Sequence, residues 1–125
     1  MNIPENLKYT NDHEWIKVDG KIGTIGVTDY AQGELGDIIY IDIPELKDVA
    51  KGEAFGTIEA VKTVADMFAP VSGKVTEINN AVNDNPASVN QDPYGSGWIA
   101  KIELSNPAEL DELLDTAAYK TLVGA

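Results

Sequence analysis

The sequence predicts a mainly β fold, a sandwich or a barrel, with two short helical segments. Short apolar-alternating runs follow one another up to about residue 104, and Gly, Pro or Asn residues separate them. Strands this short, at this spacing, are typical of sandwiches and barrels. A chain of 125 residues with 43% apolar residues is long enough to bury a true core. We therefore expect residues 1–125 to form one domain.

Seven strand regions account for most of this prediction. Residues 15–18 and 21–27 alternate apolar and polar side chains on either side of Asp19-Gly20, which is a two-residue turn signal for a hairpin. The next run, 38–43, is rich in β-branched residues and lies between Gly36 and Pro44. Further strands are predicted at 53–61, 64–68, 73–78 and 98–104.

Two segments have the signals of helices. Residues 28–35 can begin at Thr28 or Asp29, either of which is a favourable N-cap, and make about two turns. In residues 106–114, Asn106 is a candidate N-cap, Pro107 occupies the first helical position, acids fill the first turn and leucines recur at helical spacing. We expect a helix over both segments.

The composition excludes most classes of site. Nine Lys, no Arg and 21 Asp plus Glu give a net charge of −12, which disfavours nucleic acid and membrane surfaces as partners. The absence of Cys excludes disulfides, Cys-ligated metals and a thiol nucleophile. The N-terminal residues lack the apolar region of a signal peptide and the Arg-rich pattern of a transit peptide, so we expect a cytoplasmic protein.

No catalytic set emerges from the acidic residues or the single histidine. The carboxylates at 109, 111 and 112 are typical of a solvated helix face. His13 lies between Asp12 and Glu14, but adjacent strand residues point to opposite faces, which prevents a shared ligand sphere. We therefore favour a structural role for His13 and expect no enzyme activity from this chain.

The most informative segment surrounds Lys62. Two strand-like arms, 53–61 and 64–68, converge on this lysine, with Glu59 three residues before it and Asp66 four residues after it. A lysine at a hairpin tip is solvated and sterically open, so a modifying enzyme can acylate its amine. The spacing alone leaves two interpretations open: a modified lysine, or an ordinary polar residue of the turn.

A resemblance favours the first interpretation. Glu59-Ala60-Val61-Lys62, followed by Ala65-Asp66, resembles the lipoyl-attachment loop of the glycine cleavage H-protein family. Nearly the whole chain is similar to that family's signature segments, in order. They are Leu7-Lys8-Tyr9, His13-Glu14-Trp15, Gly26 to Gln32, Leu35-Gly36-Asp37, Ala69 to Gly73, Asp92-Pro93-Tyr94 and Gly97-Trp98.

The fold implied by this resemblance is a barrel-sandwich hybrid of the lipoyl/biotinyl type. Residues 1–125 are then a single lipoyl-carrier domain, extended by an N-terminal hairpin and a C-terminal helix. Lys62 carries lipoate in amide linkage, added by a lipoate-attaching enzyme. The same resemblance suggests that Glu59 and Asp66 help that enzyme to recognise the loop, and that Glu14 contacts the loaded arm, with simple structural pairing of Glu14 left open.

The implied function is that of a shuttle. The lipoyl group carries an aminomethyl group from a pyridoxal-phosphate glycine decarboxylase to an aminomethyltransferase, and electrons to dihydrolipoamide dehydrogenase. The protein is then a non-catalytic, monomeric carrier that supplies its dithiol through a cofactor, since it has no Cys.

Two other functions stay open at this stage. A biotinyl carrier has the same hairpin lysine, but methionines typically flank that lysine, whereas Val61 and Thr63 flank Lys62. An H-like relay protein would instead donate lipoyl groups to other complexes, and its attachment loop would look the same.

Overall fold

The computed structural model describes all 125 residues and arranges nine strands in two antiparallel sheets. The strands are β1 Lys8–Tyr9, β2 Glu14–Asp19, β3 Ile22–Val27, β4 Ile38–Asp42, β5 Asp48–Val49, β6 Ala54–Ala60, β7 Val64–Phe68, β8 Gly73–Ile78 and β9 Ala100–Leu104. A six-stranded sheet has the order β1-β2-β3-β9-β8-β5, and a three-stranded sheet has the order β4-β6-β7. The helices are α1 Asp29–Leu35, α2 Ala81–Asp84, α3 Ala87–Gln91 and α4 Thr116–Val123, with a 3-10 helix at Pro107–Glu112. The predicted mainly β fold is confirmed.

The predicted N-terminal hairpin is present, with its turn one residue later than the dipeptide signal suggested. Asp19 pairs with Ile22, so Gly20 and Lys21 form the loop. Gly20 has a φ of 64°, which a residue without a Cβ adopts at little cost. On the buried face of this hairpin, Ile16 lies opposite Ile25.

The smaller sheet carries the β6–β7 hairpin that was predicted around residues 53–68. Successive rows across its three strands alternate between the core and solvent, as the two-residue repeat of a strand requires. Ile41, Ile58 and Ala65 form an inward row, whereas Tyr40, Glu59 and Val64 form an outward one. A β-bulge interrupts β4 between Ile38 and Tyr40.

Two hydrophobic clusters hold the molecule together. The larger has 21 buried residues and lies between the sheets. The smaller joins both ends of the chain to β2, through Ile3, Leu7, Tyr9, Trp15 and Tyr119. The first seven residues and α4 thus help to build the body of the protein.

Helix α1 confirms the prediction for residues 28–35. Thr28 is its N-cap, and the Thr28 hydroxyl accepts a hydrogen bond from the Ala31 N–H. Helices α2 and α3, by contrast, were not predicted. Asn83, in α2, exchanges two hydrogen bonds with the Ile41 backbone, so this side chain covers the free edge of β4. None of the four helices has the length and apolar character needed to cross a membrane.

The C-terminal region is helical, as predicted, but the helix within 106–114 is of the 3-10 type rather than the α type. Pro107–Glu112 forms a 3-10 helix, and Asn106 makes no side-chain cap. Leu114 is extended because its backbone exchanges two hydrogen bonds with Tyr9. The α-helix follows at α4, where the Asp115 side chain caps the Ala118 N–H and Gly124 ends the helix with a φ of 74°.

Candidate functional site

Lys62 lies at the tip of the β6–β7 hairpin, as predicted. Glu59 pairs with Val64, and the Ala60 N–H donates to the Thr63 carbonyl at 2.8 Å, so Val61 and Lys62 form a tight connection. The Lys62 side chain is exposed. A short loop held by the strand ladder presents its amine on a rigid base, without burying it.

The stem of Lys62 passes over the end of α1. Gly36 follows this helix with a φ of 81°, and a Cβ built on it would lie 3.3 Å from the Lys62 Cε atom. The next carbonyl, that of Asp37, accepts a hydrogen bond from the Val61 N–H at 3.0 Å. Asn90, in α3, fixes this junction by donating to the Gly36 carbonyl and accepting from the Ile38 N–H. The hairpin tip and α1 are therefore held together.

A cleft of about 180 Å³ lies between α1 and the β6–β7 hairpin. Its apolar lining comes from both sides and from β3, through Val27, Ala31, Leu35, Ile58, Ala65 and Met67. Four acids and a histidine also line it: Asp12, His13, Glu14, Glu34 and Asp66. Because Leu35 immediately precedes Gly36, one wall of the cleft leads directly to the Lys62 stem.

Glu14 supplies a buried carboxyl group to this cleft. Only 3% of the residue is exposed, although it lines the cavity. Its Oε2 atom accepts from the Phe68 N–H at 2.6 Å, and its Oε1 atom accepts from the Thr10 hydroxyl at 3.2 Å. Burial raises the pKa of Glu14 to about 8, and the negative charge of Asp12 adds to that rise, against the opposing hydrogen bonds from Phe68 and Thr10.

His13 has a structural role, which agrees with the favoured interpretation of the sequence. Its φ of 65° is unusual for a residue with a side chain, and two backbone hydrogen bonds, to Thr10 and from Thr28, hold it. Its Nδ1 atom lies 2.9 Å from the Tyr119 hydroxyl, which in turn lies 2.7 Å from the Thr28 hydroxyl. Burial lowers the pKa of His13. The Tyr119 hydroxyl thus joins α4 to the residue that caps α1.

Replacing Tyr119 with phenylalanine should lower the free energy of unfolding by about 1–3 kcal/mol, because its buried hydroxyl is the hydrogen-bond partner of both the buried Thr28 hydroxyl and the half-buried His13 ring. Tyr40→Phe removes the same oxygen from an exposed side chain and should change stability by less than about 0.5 kcal/mol. Urea unfolding of both variants measures the two effects. Equal stability of the two variants would contradict this role for the Tyr119 hydroxyl.

The two remaining predicted site residues lie on the two strands that lead to the tip, Glu59 on β6 and Asp66 on β7. Glu59 is exposed on the outer face, beside Tyr40 and Val64, and does not line the cleft. Asp66 is also exposed on that face and reaches the rim of the cleft. The contacts of Gly36 and Asn90 beside the hairpin tip were not predicted, because they join segments far apart in the chain.

Comparisons with known proteins agree with this geometry. The family model described as Glycine cleavage H-protein matches residues 7–125. The glycine cleavage system H protein of Bacteroides fragilis is 54% identical over 126 aligned positions, covering 100% of both chains. That of Symbiobacterium thermophilum is 54% identical over 119 positions, covering 94% of this chain and 93% of its own.

A solved structure extends the likeness to three dimensions. The crystal structure of a glycine cleavage system H protein from Mycobacterium marinum has a TM-score of 0.90, with 37% sequence identity, and the match covers 98% of this chain and 100% of that one. The family match favours a lipoyl carrier over a biotinyl carrier. The chain belongs to the glycine cleavage H-protein family, whose members are the lipoyl-bearing shuttles of the glycine cleavage system.

Proposed function

We propose that this protein carries its lipoyl group on Lys62 and shelters the loaded arm in the cleft that ends at Glu14. One observation carries this proposal: the stem of an exposed lysine lies against Gly36, next to the Leu35 wall of an apolar cleft with a buried carboxyl group inside it. In the family, the carrier serves a glycine decarboxylase, an aminomethyltransferase and dihydrolipoamide dehydrogenase in turn. We propose these three enzymes as partners of this chain.

The residues around Lys62 fit a lipoyl group. Its attachment needs a free amine. The Lys62 Nζ atom must form a C–N bond to the carbonyl carbon of a lipoyl adenylate, while the C–O bond to the phosphate breaks, AMP leaves and the amine loses a proton. The attached dithiolane would then supply the carrier's redox and group-transfer chemistry. Beyond the amine, the apolar walls at Leu35, Ala65 and Met67 suit a hydrocarbon chain, because packing it there removes apolar surface from water.

Glu14 suits the charged end of the cargo. An aminomethyl nitrogen that reaches the cleft can take the proton of the Glu14 carboxyl group, which leaves an ammonium beside a carboxylate. A buried pair of this kind is screened little by solvent and favours the protonated nitrogen. We therefore prefer a role in holding the cargo to simple structural pairing for Glu14.

Several further properties belong to the same proposal. The chain itself catalyses none of the steps, and residues 1–125 act as one carrier domain. A net charge of −12 makes copies repel one another, which supports a monomer. A lipoate-attaching enzyme modifies Lys62, with Glu59 and Asp66 beside the loop that it reads. We also propose the cytoplasm as its location, since the named relatives are bacterial and glycine cleavage draws on folate and NAD.

Reconstitution of glycine cleavage tests this function. The purified decarboxylase, aminomethyltransferase and dehydrogenase are mixed with glycine, tetrahydrofolate and NAD. The lipoylated protein should restore NADH formation, and the unmodified protein should not. A lipoyl relay without a role in glycine breakdown would become lipoylated and yet fail to support NADH formation.

Lipoylation should leave the stability of the protein nearly unchanged. Because Lys62 is exposed, modification of its amine should change the free energy of unfolding by less than about 0.5 kcal/mol. The melting temperature should then shift by less than about 2 °C. Calorimetry of the unmodified and lipoylated forms measures this difference. A separation of many degrees would mean that the empty arm is a permanent part of the core.

A further inference from the structure

The surface around the hairpin tip is unusually apolar for a solvated β-sheet face. Four large apolar side chains are exposed there: Ile39 at 46%, Tyr40 at 49%, Val61 at 74% and Val64 at 58%. We call these four residues the tip patch. Grouped exposed apolar residues of this kind mark interaction sites more often than scattered single ones do.

The β-bulge in β4 creates half of this patch. Regular pairing would place Ile39 and Tyr40 on opposite faces of the sheet. Because the register shifts between Ile38 and Tyr40, both Ile39 and Tyr40 are exposed instead, beside the strand that leads to Lys62. Tyr40 then pairs with Glu59, which pairs with Val64, so the patch continues across all three strands. Bulges next to functional sites commonly re-aim side chains in this way.

Acidic side chains surround the tip patch. Glu59 lies within it, Asp42 and Asp66 lie in the next outward row, and Asp37 is held against Val61 through its backbone. All four carboxylates are exposed. A partner that covers this surface therefore needs an apolar recess with a basic rim, since charges of opposite sign at the rim steer association.

We propose that the tip patch is the docking surface for the enzyme that attaches lipoate to Lys62, which rests on the proposed function above. The length of the unmodified Lys62 side chain distinguishes this partner from the other enzymes that bind the protein. An extended lysine spans about 6 Å from Cα to Nζ, so the attaching enzyme must take the hairpin tip itself into its active-site mouth. The finished lipoyl-lysine arm reaches roughly twice as far, so later partners can act on its end with less contact to the tip.

Steady-state lipoylation of the full chain tests this assignment. Unmodified protein is incubated with a bacterial lipoate–protein ligase, ATP and lipoate, and the product is followed by intact mass. The double variant Ile39→Thr/Tyr40→Thr places β-branched residues, which suit strands, at both outward-facing positions. It should lose at least about tenfold in kcat/KM, since exposed aromatic anchors often dominate docking. Leu46→Thr removes a side chain of similar exposure beyond the opposite end of β4 and should stay within twofold of wild type.

A second measurement separates this partner from the others. The double variant is lipoylated to completion with excess ligase, and its reduction by dihydrolipoamide dehydrogenase and NADH is timed. This rate should change less than threefold. Unchanged ligation of the double variant overturns the proposal, as does an equal loss with the dehydrogenase, which would make the patch a general docking surface. Failure of the wild-type chain to accept lipoate would instead contradict the proposed function.

Discussion

Lys62→Arg should abolish lipoylation and, with it, every activity of the reconstituted glycine cleavage system. Arginine keeps the positive charge, but its guanidinium is always protonated and is a poor nucleophile for acyl transfer. NADH formation should fall by at least about a thousandfold, because a chain without Cys has no other source of a dithiol. Intact mass and NADH formation measure the two losses.

Lys74→Arg is the matched control for this substitution. Lys74 is also exposed, but it lies on strand β8, away from the hairpin tip. This variant should gain one lipoyl group and retain wild-type activity. Addition of lipoyl mass to the Lys62→Arg protein would show that another lysine is modified, and the assignment of Lys62 would be wrong.

Glu14→Gln should make the protein more stable at high pH while making its loaded form less durable. The first effect follows from burial. The pKa of Glu14 is about 8 in the folded protein, above its ordinary value of 4.5, so the folded state favours the protonated carboxyl group. The contribution of Glu14 to the free energy of unfolding is therefore fully present below about pH 4.5 and is lost as the pH rises through 8.

The size of this loss follows from the same pKa difference. Each pKa unit corresponds to about 1.4 kcal/mol, so full ionisation of Glu14 costs the folded state on the order of 5 kcal/mol. Glutamine cannot ionise, and its amide can still accept from the Phe68 N–H. Urea unfolding at pH 5 and pH 9 should show wild type losing several kcal/mol relative to Glu14→Gln.

The second effect concerns the cargo. An aminomethyl group bonded to sulfur is lost most readily while its nitrogen lone pair is free, and the glutamine amide has no acidic proton to give to that nitrogen. The loaded Glu14→Gln protein, freed of its partner enzymes, should release ammonia and formaldehyde faster than wild type. A tenfold shorter half-life corresponds to about 1.4 kcal/mol of lost stabilisation.

Glu77→Gln controls for both measurements, because Glu77 is an exposed carboxylate on β8. It should leave the pH dependence of stability and the half-life of the loaded form unchanged. Equal half-lives in wild type and Glu14→Gln would reduce Glu14 to a structural acid. If wild type and Glu14→Gln lost the same stability between pH 5 and pH 9, the Glu14 carboxyl group would be freely solvated in the folded protein.

The sequence alone was sufficient for the features that depend on neighbouring residues. Alternation of apolar and polar side chains, together with Gly, Pro and Asn at the turns, placed most strands to within one or two residues. Thr28 caps α1 through its own hydroxyl, three residues from the N–H that it accepts from. The position of Lys62 in the hairpin is local in the same sense, since two adjacent strands define it.

The tertiary structure decided the features that join distant segments. Residues 107–114 have helical signals, yet their backbone turns extended at Leu114 because Tyr9, far away in the chain, supplies both hydrogen bonds. Helix α4, capped by Asp115 and ended by Gly124, lies beyond the predicted helical segment 106–114. Glu14 gives no sequence signal of its burial, because its pKa depends on Phe68, Thr10 and the walls of the cleft. Local propensity governs hydrogen bonds between near neighbours, whereas burial and long-range pairing depend on how the whole chain packs.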